Sequence, residues 1–122
     1  MNSHELKDDI LTYTMNTMTL DVYEEMNGLF EENELKGFIF VIPDKKALVS
    51  PEFWTLSNLP HIIWNEIAFM FKQTTPRTMV VVIDDDVLHM IHGALTSFIY
   101  DIFGVKAHFL RMGQIDTAPT FF

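Results

Sequence analysis

Asp84, Asp85 and Asp86 stand in a row directly after Thr78–Ile83, the clearest run of β-branched residues in the chain. Ligands of open α/β sheets bind just beyond the carboxyl ends of the strands. Carboxylates placed there suit Mg²⁺, a hard cation that takes oxygen ligands and commonly works on phosphates. Asp84 and Asp86 form a D-x-D pair, and divalent-metal chemistry on phosphate esters is what such a pair could do. The same residues have a plainer use. Asp is a favoured helix N-cap, and the first helical turn favours negative charge.

A second group is Asp85, His89 and His92, at i, i+4 and i+7 of the helix expected to follow the strand. Two imidazoles and a carboxylate can ligate Fe(II) or Zn²⁺. On a continuous helix they share a polar face with Thr96, opposite Val87, Ile91 and Phe98. Without a further ligand the group reduces to a solvated face with a weak Asp85–His89 pair. The D-x-D at a strand end resembles the Mg²⁺ sites of haloacid-dehalogenase-type phosphatases and of TOPRIM domains. That likeness would imply metal binding at Asp84 and Asp86. It is confined to this one short segment: no Gly-Thr follows the acids, and no matching downstream acidic motif or Glu-Gly strand end is present. No family is identified from it.

The third group is the tail, residues 113–122, which holds Pro119 and ends in Phe121 and Phe122. Large aromatics are typical interface anchors. The tail is expected to be irregular and to dock on its own domain, a sister subunit or a foreign partner. Other chemistries lack their motifs. There is no G-x-x-x-x-G-K-[ST], G-x-G-x-x-G or G-x-S-x-G, and five Gly form no phosphate-cradling cluster. With no Cys, disulfides, thiolate metal sites and Cys nucleophiles are excluded.

Charge narrows the partners. The chain carries −9 overall, and −8 of it falls in residues 1–35, which hold nine acids and only Lys7 as a base. No basic cluster exceeds Lys45 and Lys46, so direct nucleic-acid binding is not expected. The acids, Glu24, Glu25, Glu31 and Glu32 among them, suit a solvated helix face, a docking surface for a basic protein, or a mimic of nucleic-acid charge. The longest apolar runs, 67–71 and 79–83, are too short to span a membrane. The acidic N-terminal stretch has no apolar h-region, which argues against a signal peptide. Eight Met and no Cys fit a reducing, cytoplasmic setting.

The elements that must position these groups follow from pattern. A length of 122 residues with 48% hydrophobic content fits one domain with a real core and excludes disorder. Leu11, Met15, Met18, Val22, Met26 and Leu29 draw an apolar stripe at helical spacing, so 4–31 reads as a helix capped by Ser3. The threonines at 12–19 predict a kink, and Asp21 with Glu24 a restart. Gly37–Ile42 reads as a buried strand, Pro43 to Lys46 as a turn, and 47–49 as a short returning strand. Ser50 and Pro51 mark a helix start, and 60–72 reads as a helix apolar nearly all round, a hint of self-association. After Thr78–Ile83 come a helix with apolar residues Val87, Leu88, Ile91, Ala94, Leu95, Phe98 and Ile102, a stop at Gly104, and a strand over 105–111.

The expected architecture is therefore a single α/β domain over 1–122. It has an acidic helical region at 1–35, a sheet of three or four strands with a C-terminal right-handed βαβ unit, and the tail at 113–122. The expected function is a non-enzymatic interaction protein: an adaptor, an inhibitor or a small subunit of an assembly, often with itself as partner. Its contacts would be the acidic surface, the apolar helix and Phe121–Phe122. No cofactor is expected on this reading. A Mg²⁺-dependent enzyme using Asp84 and Asp86, and an acidic mimic of nucleic acid, are the alternatives.

Overall fold

The computed structural model describes residues 2–17, 19–49 and 76–122. It is an α/β arrangement around a five-stranded mixed sheet. The strands are β1 (Ser3–Lys7), β2 (Ile10–Thr14), β3 (Gly37–Ile42), β4 (Thr78–Ile83) and β5 (Lys106–Leu110), side by side in chain order. β1 and β2 are antiparallel, and β2, β3, β4 and β5 run parallel to one another. The sheet thus has more strands than the three or four expected.

The extra strands come from the N-terminal region, where the expected helix over 4–31 is wrong in its first half. Residues 3–14 form a hairpin in which Lys7 pairs with Ile10 and Ser3 with Thr14. Ser3 is a strand residue, not a cap. The turn is Asp8–Asp9, with φ of 54° and 63°. A two-residue hairpin loop with both φ values positive matches the right-handed twist of its strands, and Asp tolerates that region better than most residues. The Asp9 carbonyl also accepts from the Lys36 amide at 2.7 Å, which ties the turn to the start of β3. Alternation then does what helical spacing was expected to do: Leu11, Tyr13 and Met15 are fully buried on one face.

Helix α1 spans Leu20–Glu32, with Thr19 at its N-cap position and Asp21 in the first turn. Val22, Met26 and Phe30, one turn apart, press onto the sheet beside Leu11, Tyr13 and Phe38. Asn33 closes the helix by donating its Nδ2 to the Leu29 carbonyl at 2.9 Å. Residues 47–49 do not return as a strand. Lys45–Val49 is a 3-10 turn, started by the Asp44 carboxylate accepting from the Lys46 amide at 2.9 Å. The expected helices starting near Ser50 and over 60–72 lie outside the described residues.

β3 and β4 form the centre of the sheet and are almost wholly buried. One face packs against α1 and the C-terminal helices through Phe38, Val81 and Ile83. The other face (Ile39, Val41, Val80, Val82 and Leu110) is covered by the C-terminal segment. That segment is not irregular. Met112–Phe121 is a 3-10 helix, and Met112, Ile115 and Ala118 fall at its three-residue period and face the sheet. Ala118 is fully buried. The ring of Phe122 lies so close over Gly37 that a Cβ there would overlap it.

After β4 come α2 (Asp86–Met90) and α3 (His92–Phe103), separated at Ile91 and joined by the bonds Ile91 N to Val87 O and Leu95 N to Ile91 O, both 3.1 Å. Gly104, at φ 69°, ends α3 in the left-handed conformation that favours glycine. Among the described residues no helix is long and apolar enough to cross a membrane.

Candidate functional site

The three aspartates after β4 all have partners within the chain. Asp85 is the N-cap of α2: its Oδ1 accepts from the amides of Val87 at 2.9 Å and Leu88 at 3.1 Å. Asp84 Oδ1 accepts from the Met112 amide at 3.0 Å. Asp86 Oδ1 pairs with the Arg111 guanidinium at 2.7 Å, which holds the Asp86 carboxyl below its ordinary range. The cluster thus clasps the chain leaving β5 to the end of β4.

The Asp85, His89 and His92 group does not converge. A carbonyl can only accept, so His89 Nε2–H donates to the Ile83 carbonyl at 2.8 Å and His92 Nδ1–H to the His89 carbonyl at 2.9 Å. Asp85 faces its own helix start. Among the described residues no set of three or more His, Asp or Glu side chains is grouped to hold a metal ion.

On α1 the acids do form one face. Asp21, Glu24, Glu25, Glu31 and Glu32 are exposed and recur at helical spacing opposite Val22, Met26 and Phe30. Glu25 is also engaged internally. It accepts from the Tyr13 hydroxyl at 2.9 Å, and its other oxygen is 3.7 Å from His4 Nδ1. Burial and then the Glu25 carboxylate push the Tyr13 phenol up to about 12.

The largest departure from expectation lies on α2 and α3. Of the apolar face expected over Val87, Leu88, Ile91, Ala94, Leu95, Phe98 and Ile102, Val87, Ile91 and Phe98 are 60%, 40% and 60% exposed, and Met90 beside them is 76% exposed. The residues turned inward are Leu88, His89, Leu95, Thr96, Ile99, Ile102 and Phe103, all half-buried, and neither helix contains a fully buried residue. Leu88, Leu95 and Ile102 thus face inward as expected, whereas Val87, Ile91 and Phe98 are turned to the surface. One sequence signal marks this region. From 87 to 100 there is no Asp, Glu, Lys or Arg, in a chain where 20% of residues are charged.

A groove of about 590 Å³ runs between α3 and β5, lined by His92, Thr96, Ser97 and Tyr100 on one side and by Lys106 to Phe109 on the other. Phe121 also lines it and packs on His108 with ring centroids 4.7 Å apart and the rings tilted by 35°. Phe121 is 38% exposed, and Phe122 is half-buried against the sheet. Both terminal aromatics therefore rest on their own domain. The groove was not foreseen, because it is made by elements whose contact is tertiary. No protein-family model, curated protein or solved structure matches this chain.

Proposed function

We propose that the chain is a non-enzymatic protein–protein interaction module, a small subunit of an assembly whose first partner is a second copy of itself. One observation carries this reading: the exposed apolar stripe of Val87, Met90, Ile91 and Phe98 on α2 and α3. Monomeric soluble proteins seldom leave large apolar groups together in water, and such patches mark contact surfaces. A chain of −9 repels its own copy. Residues 87–100 carry no formal charge, so two copies meet there with least repulsion, in a two-fold contact of the same patch on each. A foreign apolar partner, as for an adaptor or inhibitor, would use the same stripe. The absence of Cys supports a reducing, cytoplasmic setting.

The metal-dependent alternative has less support, since Asp84, Asp85 and Asp86 each have a partner within the chain. The mimic of nucleic-acid charge draws only on the acidic face of α1. The test is light scattering coupled to size exclusion, over a dilution series, on the native chain and on Phe98→Lys and Ile91→Lys. The expected result is a dimer that both variants convert to a folded monomer. A native chain that is monomeric at every concentration would sink the self-association reading.

A further inference from the structure

We infer that the groove between α3 and β5 receives an extended peptide segment of another protein, which adds to the sheet as a sixth strand beside β5. Among the described residues β5 ends the sheet, with β4 on one side only. The Lys106 amide donates to the Arg77 carbonyl at 2.9 Å, toward β4. Along a strand, successive N–H and C=O pairs point to opposite sides, so Lys106, His108 and Leu110 face β4. Ala107 and Phe109 then present their N–H and C=O outward, without partners among the described residues. These four groups are a template for a further strand.

The lining of the groove places that edge at its floor. Ala107 and Phe109 point to the face carrying α3, and Lys106 and His108 point to the face carrying the C-terminal 3-10 helix; all four line one groove. A groove reached from both faces of a strand runs along its edge. The opposite wall is one side of α3, with His92, Thr96, Ser97, Tyr100 and Asp101 about one turn apart. A helix lying beside an open strand edge leaves a slot along that edge. Its volume of about 590 Å³ is within the range of binding sites.

The walls also set the chemistry of the occupant. Side chains alternate along an added strand. Those turned toward α3 meet the hydroxyls of Thr96 and Ser97, the ring of Tyr100 and the Asp101 carboxylate, so they carry no negative charge. Those turned the other way meet the Lys106 ammonium, which has no ion pair among the described residues, and the His108 imidazole packed on Phe121. The fitting segment therefore carries acidic residues at alternate positions on that side. This site is separate from the apolar stripe, so it stands or falls independently of self-association there.

The test uses two capped peptides, Ac-Thr-Val-Glu-Val-Glu-Val-Thr-NH2 and its counterpart with Lys in place of Glu, added to the full chain. Amide hydrogen exchange is read residue by residue by NMR. The expected result with the acidic peptide is slowed exchange at Ala107 and Phe109, the two outward amides, with at least tenfold weaker binding of the basic peptide. Lys106→Glu should reverse that preference. Ala107→Pro removes one outward donor, a change that edge strands tolerate, and should abolish binding. Ser97→Trp, which fills the slot from the helix side, should abolish it too if the proline variant is unfolded. Unchanged exchange at Ala107 and Phe109 with saturating acidic peptide would overturn the inference. Protection of these amides that appears without peptide and fades on dilution would overturn it as well, since the slot would then hold a second copy.

Discussion

Replacing Tyr13 by Phe should reverse the order of stability of the two proteins between neutral and strongly alkaline pH. Tyr13 is fully buried, its hydroxyl donates to Glu25 at 2.9 Å, and its pKa is raised to about 12. The charged groups around that hydroxyl are Glu25 and, beyond it, His4, with the neutral amide of Asn2 also in reach. At pH 8 the phenol is protonated in both folded and unfolded chains, so Tyr13→Phe loses only a hydrogen bond, about 0.5–1.5 kcal/mol. Glu25 is half exposed and rehydrates. Raising the pH changes the balance. The unfolded phenol ionises near 10, whereas the folded one holds its proton to about 12. Between those values only the unfolded state gains from ionisation, so the native protein loses stability as pH rises. The loss from this one group is about 1.4 kcal/mol at pH 11 and about 2.3 kcal/mol at pH 12. Tyr13→Phe lacks it. Urea unfolding of both proteins at a series of pH values from 8 to 12 is the assay, and the difference between them cancels the other titrating groups. The curves should cross between about pH 10 and 11, with Phe the more stable above the crossing. Parallel curves would refute the reasoning. So would a 295 nm titration in which Tyr13→Phe removes a step near 10 instead of one near 12.

Three further outcomes are expected. Ala118→Leu inserts three heavy atoms where Ala118 is fully buried over Val80 and Val82, and should cost about 1–3 kcal/mol in a thermal or urea melt. Gly37→Ala should destabilise by a similar amount because its methyl meets the Phe122 ring, and Phe122→Ala in the same chain should remove most of that penalty in a double-mutant cycle. Asp85→Ala removes the acceptor of two amides and should cost about 1 kcal/mol, with the loss of helical signal confined to α2 in NMR chemical shifts.

How much of this was legible depends on which competing patterns a residue serves. Gly37–Ile42 and Thr78–Ile83 are continuous β-branched or aromatic runs and read directly as strands. Asp85 and Gly104 are the cap and stop that their chemistry suggests. The hairpin was hidden because a spacing of four belongs to both periodicities: Leu11 and Met15 lie on one side of a helix and equally on one side of a strand. Tyr13 is the residue that tells them apart, since only a strand places it with them. The turn was masked as well, because Asp8–Asp9 has no Gly to announce positive φ. On α2 and α3 apolar residues lie on more than one side, so the pattern alone does not say which side faces the sheet, and docking decides it. The tail's three-residue period over Met112, Ile115 and Ala118 was present in the sequence, but it is a 3-10 signature, which is neither helical nor strand spacing. The groove at β5 needs both the order of the strands and the position of α3, and neither is local.

The strictly sequential order of the strands bears on how the molecule assembles. Among the described residues every strand after the first pairs with the one before it in the chain. The hairpin closes over two residues, whereas β3 and β4 are bridged by residues 43–77 and the other parallel pairs by shorter connections. Because closure entropy grows only with the logarithm of length, the longest of these bridges costs just about 0.4 kcal/mol more than the others. The closure costs of the three parallel crossovers are thus comparable. The sheet can grow outward one strand at a time from the hairpin, each new edge serving as the template for the next.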